Sequence, residues 1–199
     1  MTDLLLLELQ GYDELQIYNI IYMKKLILLG LAVIAMTACK QEQRYFAESE
    51  ETNILKAGIA AYESADWEKW QSHFADTAKI YVNSIDAMSL DDRVAGLKDM
   101  TKAMSSYGFD HEDEYIEMVL DKEHETWVYY WATFNGTVAG SGKELSIPVH
   151  LAVQFADGKI VEEHVYFDAT ELNAELAAAA AAAKMEEEST ETDAEDSGE

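Results

Sequence analysis

The chain has 199 residues, room for one domain of ordinary size with tails. A hydrophobic share of 49%, with 11% aromatics, is enough to build a real core. The 14 basic against 39 acidic residues, net −25, argue against a nucleic-acid partner, because a polyphosphate is repelled and no basic patch stands out.

The one cysteine, Cys39, rules out an intramolecular disulfide. It closes the segment MKKLILLGLAVIAMTAC, from Met23 to Cys39. Two lysines, an apolar run from Leu26 to Met36 and the small residues Thr37 and Ala38 follow the basic, apolar, small-residue order of a secretory signal. The run falls short of the roughly 20 residues that span a bilayer. Its end, MTAC, resembles the lipobox of bacterial lipoproteins, in which the cysteine is lipidated and becomes the mature N-terminus, with Met36 where leucine is more usual. That resemblance implies a signal peptide over 23–38, a lipid anchor at Cys39 and a place in the bacterial cell envelope. Residues 1–22 carry four acids and no lysine or arginine, the wrong charge for a stretch that precedes a signal. Translation is therefore expected to begin at Met23, with 1–22 a gene-start artefact.

Residues 39–51 are polar and read as a tether. From Thr52 the apolar residues Ile54, Leu55, Ile59 and Tyr62 recur at helical spacing, and Asp66 caps a second helix carrying Trp67, Trp70 and Phe74. AKIYVN (78–83) reads as a short strand. Ser89 and Asp92 form a capping box for a third helix, whose apolar positions run from Leu90 through Met104 and Tyr107 to a stop at Gly108. The period then changes to two, with strands expected at about 112–121, 124–138, 144–155 and 159–167 and a last helix from Thr170. Helices followed by a mostly antiparallel sheet make an α+β order. The alanine run 177–183 extends the last helix with nothing bulky to pack, and the acidic tail behind it is expected to be disordered.

Asp157-Gly158 is a two-residue hairpin signal that sets Ala156 opposite Lys159 and Phe155 opposite Ile160. An unbroken ladder continues to Val153 opposite Glu162 and Leu151 opposite His164. His164, Tyr166 and Asp168 then share the inward face of Ile147, Val149, Leu151 and Val153. His164 and Asp168, four apart on a strand, stand about 13 Å from one another and cannot form a dyad of their own. A carboxylate in an apolar cavity suits a general base or acid. The plainer alternative is a satisfied core histidine, with Asp168 capping the last helix. HEDE (111–114) reads as a solvated strand end, not a metal site, and no cofactor motif is present.

The segments AAYESADWEKWQSHFADTAKIYVN and ADGKIVEEHVYFDATELNAEL resemble the opening and closing motifs of SnoaL-like domains, of the nuclear transport factor two superfamily, over about residues 52–176. The resemblance implies a cone-shaped α+β fold, with three N-terminal helices on a strongly curved sheet around a pocket. Superfamily members that are cyclases, isomerases or epoxide hydrolases place a carboxylate in that pocket, and Asp168 matches the aspartate ending the final strand, with His164 and Tyr166 at pocket-facing positions. Three functions stay open. The first is binding of a small, largely apolar molecule against Trp67, Tyr81, His164 and Tyr166. The second is proton-transfer catalysis, with Asp168 as base and His164 or Tyr166 as donor. The third is a non-catalytic homodimer formed through the sheet face around His150, Val165 and Phe167.

Overall fold

The computed structural model describes residues 21–29 and 42–196, in two compact units divided after Gln43. In the first unit, residues 21–29 are helical (α1). Cys39 and most of the expected signal lie outside the described residues. No helix among those described is long and apolar enough to cross a membrane.

The second unit runs β1 (Tyr45–Phe46), α2 (Glu50–Glu63), α3 (Trp67–Ser72), β2 (Phe74–Val82), α4 (Leu90–Lys102), β3 (Met104–Phe109), β4 (Tyr115–Leu120), β5 (Thr126–Val138), β6 (Glu144–Ala156), β7 (Lys159–Phe167) and α5 (Thr170–Asp196). The caps explain the helix starts. Ser49 and Thr52 form a reciprocal capping box on α2, Asp66 accepts from the Lys69 N–H on α3, and Ser89 accepts from the Asp92 N–H on α4. The expected α+β fold stands: helices against a curved, unclosed sheet, with a C-terminal helix.

The strands follow the order β1-β4-β5-β6-β7-β2, and β3 pairs with the far end of β5 beyond β4. All these pairs are antiparallel except β2 with β7, which is parallel, so the sheet is mixed. One face of β5 and β6 is buried at every second residue, through Val128, Tyr130, Ala132 and Phe134 on one strand and Ile147, Val149, Leu151, Val153 and Phe155 on the other. That face meets Leu55, Ile59, Trp70, Val94 and Leu97 from the helices.

Four expectations need correction, the first being Phe74, which opens β2 instead of continuing α3. The third helix ends at Lys102, and Met104 and Tyr107 belong to β3, where hydrogen bonds to β5 override their helical spacing. HEDE is a bend between strands, so its residues do not alternate across a sheet. The last helix does not stop at the alanines: it continues to Asp196 through good helix formers such as Glu, Met and Lys. The alanines are not all unpacked either, since Leu172 is buried and Leu176 and Ala179 lie against the core.

Candidate functional site

The site is set by one extra residue in β7. The expected turn is present: Asp157 and Gly158 both have positive φ (51° and 72°), Ala156 pairs with Lys159, and Phe155 with Ile160. The next pair, however, is Gln154 with Glu162, so Val161 is bulged out of the ladder. The shift coincides with an irregular pairing on the other side of β7. The Ile160 N–H donates to the His73 carbonyl at 3.0 Å, and β2 is itself irregular between Phe74, opposite Ile160, and Lys79, opposite Glu162. From there every β7 side chain is on the face opposite to the one expected.

The inward residues are therefore Glu163, Val165 and Phe167. His164 and Tyr166 are on the outer face, where Tyr81 stacks on His164 with centroids 4.6 Å apart. The His164 Nε2 lies 2.7 Å from Glu162 Oε1, and Tyr166 is 48% exposed. Asp168 is exposed as well, and its Oδ1 accepts from the Thr170 N–H at 2.9 Å at the start of α5. Trp67 packs edge-on against Tyr62 and lies outside the cavity lining. The expectation that Trp67, Tyr81, His164, Tyr166 and Asp168 surround one cavity is thus corrected. The structure brings Tyr81, His164 and Tyr166 together, but on the outer face of the sheet.

A cavity of about 100 Å³ does lie between the inner face and the helices. Its wall is apolar almost throughout: Leu55 and Ile59 from α2, Trp70 from α3, Leu97 and Met100 from α4, Val149 and Leu151 from β6, and Leu172 from α5. Two charged residues interrupt it, Arg93 and Glu163. Glu163 is only 5% exposed. Its Oε2 lies 3.8 Å from Arg93 Nε, beyond hydrogen-bond range, and neither atom has a hydrogen-bond partner. Buried polar atoms are nearly always satisfied, so two facing orphans on a cavity wall mark the polar end of a site. Burial pushes the Glu163 carboxyl above the ordinary glutamate value, and the opposing pull of Arg93 and then His164 does not cancel it. Tyr62, on the same wall, has its hydroxyl pKa raised by burial, with Arg93 acting in the other direction. Alternation alone had put Glu163 on the outer face. What could have found it is an acid flanked by Val161 and Val165, together with a β7 whose polar residues suit the solvent side better.

A second cluster joins α2 to the β3–β4 bend. His111 Nδ1 is 2.8 Å from Glu114 Oε2 and its Nε2 is 3.1 Å from Glu63 Oε2, while the Tyr130 hydroxyl donates to Glu114 at 3.2 Å. Both ring nitrogens are occupied, and among the described residues no group of His, Cys, Asp and Glu is arranged to hold a metal ion.

Residues 55–163, more than half of the chain, match the family model of the SnoaL-like domain. The chain belongs to the SnoaL-like domain family. Solved structures share the fold at low identity. A candidate polyketide cyclase from Xanthomonas campestris is 15% identical, with 64% of this chain and 96% of that one covered and a TM-score of 0.53. AclR, a candidate hydroxylase from Streptomyces galilaeus, is 18% identical, with 64% and 96% covered and a TM-score of 0.53. IdmH, a candidate polyketide cyclase from Streptomyces antibioticus, is 16% identical, with 65% and 99% covered and a TM-score of 0.52. No curated protein is similar enough in sequence to count as a relative. In this SnoaL-like domain a cavity lies beneath the sheet, and among its lining residues the one carboxyl comes from Glu163.

Proposed function

We propose that this SnoaL-like domain binds a small, largely apolar molecule in the cavity beneath its sheet. The observation that carries the reading is the buried, unpartnered Glu163 Oε2 in an otherwise apolar chamber. Apolar walls with a few convergent polar groups are the common form of a small-molecule site. We propose further that the domain is tethered to the bacterial cell envelope through a lipid on Cys39, supported by the residue order that ends there.

Proton transfer is the second reading, and Glu163 favours it. A carboxyl raised by burial holds or takes a proton closer to neutral pH than a solvated glutamate does, which suits isomerisation, cyclisation or dehydration of a bound carbonyl compound. Dimerisation is the third, through the outer face, where Tyr115, Trp131 and Tyr166 are exposed. Trp131 and His150 stack there at 4.4 Å.

The test of the leading reading is binding of benzene to the full chain, followed as a rise in Tm. Val149→Phe fills the chamber and is expected to abolish the response. No rise in the wild-type protein at saturating benzene would refute a ligand-accepting cavity.

A further inference from the structure

We infer that the ligand of this cavity is a short-chain monocarboxylate, its carboxylate held between Arg93 Nε and Glu163 Oε2. The inference rests on the reading of the cavity as a ligand site. It concerns which molecule fits, and the argument runs through geometry, hydrogen-bond polarity, charge and size.

Two atoms 3.8 Å apart can both lie about 2.8 Å from a third atom set between them, an ordinary hydrogen-bond length. The pair is too far apart to satisfy itself and well spaced to share one ligand oxygen. Polarity then narrows the choice. Arg93 Nε–H can only donate, and a Glu163 carboxyl that carries its proton on Oε2 donates as well, so with that proton in place the shared atom is an acceptor. A hydroxyl hydrogen would find nothing to meet at the Arg93 side.

Charge separates a carboxylate from a neutral carbonyl. Among the described residues, Glu163 is the one acidic group recorded within ion-pair distance of Arg93. A Glu163 that keeps its proton leaves a largely buried guanidinium without a counter-ion, which is costly. A ligand carboxylate restores neutrality and forms two charge-assisted hydrogen bonds at once. The groups that bear on Glu163 are Arg93 from α4 and His164 from its own strand, and Tyr62 from α2 shares the wall; burial raises the carboxyl against the pull of Arg93 and His164.

Size sets the rest of the molecule. The cavity, at about 100 Å³, is of the same order as the engineered cavity of about 150 Å³ that admits benzene, so the ligand has on the order of six heavy atoms. A polycyclic molecule exceeds that volume. Trp70, Leu97, Val149 and Leu151 surround the remainder, so the tail is apolar.

Butyrate, with a neutral isostere and a larger acid, makes the test on the full chain by isothermal titration. Butyrate is expected to bind about tenfold or more tightly than pentan-2-one, on the strength of hydrogen bonds to a charged group. 2-Naphthoate is expected not to bind. Affinity for butyrate should fall as pH rises through the Glu163 titration. Glu163→Gln keeps a donor and should retain butyrate while removing that pH dependence. Arg93→Gln should lose the preference for butyrate over pentan-2-one. Benzene binding without butyrate binding, an equal affinity for pentan-2-one, or butyrate affinity that ignores pH each overturns the inference while the cavity reading stands. If neither benzene nor butyrate binds, both fall. The comparison of butyrate with pentan-2-one needs no variant, so a misfolded mutant does not shelter the idea.

Discussion

His111 Nδ1 stands 2.8 Å from Glu114 Oε2, and the opposite ring nitrogen meets Glu63, so one imidazole ties the end of α2 to the bend before β4. Hydrogen bonds to Glu114 and then Glu63 raise the His111 pKa above the ordinary histidine value. A histidine raised on folding adds stability that is complete below its unfolded pKa and is lost as pH climbs through the folded one. NMR titration of the His111 ring should show a midpoint above that of a free histidine, and Glu114→Gln should bring it down. A midpoint unchanged in the variant would mean that the ion pair is not formed in solution.

Glu163 gives a slope of the same sign for a different reason. Its carboxyl is raised by burial, so the native state keeps a proton that the unfolded chain has released. Stability should fall as pH rises from the ordinary glutamate range towards the folded value. Glu163→Gln removes that slope, so its Tm should gain on the wild type as pH increases. A wild-type protein that gains on the variant over that range would contradict the assignment.

Asp168 should behave as a helix-start residue. Its carboxyl is lowered by accepting from Thr170, first from the side chain and then from the backbone N–H. A depressed carboxyl adds stability above its unfolded pKa and loses it as pH falls through the folded one. Asp168→Asn should leave Tm nearly unchanged and Asp168→Ala should lower it, with ligand binding equal in both. A selective loss of ligand binding in the Asn variant would return Asp168 to the site.

Gly158 holds φ at +72°, in the left-handed region that L-residues avoid. Nothing crowds a Cβ there, so the cost of Gly158→Ala is conformational. The change should destabilise by about 1 kcal/mol, read from urea denaturation with an unchanged m-value.

The β6–β7 hairpin shows what was legible in the sequence and what was not. The Asp157-Gly158 turn and the inward set from Ile147 to Phe155 follow from local chemistry and a period of two, and both stand. The bulge at Val161 sits beside the hydrogen bond from Ile160 to the His73 carbonyl, far away in sequence, and no pattern within the hairpin contains that contact. Likewise β3 looked like helix because Met100, Met104 and Tyr107 keep helical spacing; only its pairing with β5 decides otherwise. Fold class needed periodicity, which is local. The site needed register, which here is a tertiary property.

Val161 also bears on how this domain can change over time. Strand β7 carries two alternating sets of side chains: Glu163, Val165 and Phe167 inside, and Glu162, His164 and Tyr166 outside. Loss of the codon for residue 161 would leave Glu163 opposite Val153 and only straighten the ladder; the two sets exchange when the strand keeps all its residues and pairs without the bulge. Relatives that align without a gap here present the same wall only where they also keep the bulge, and a one-residue gap at this point leaves the wall as it is.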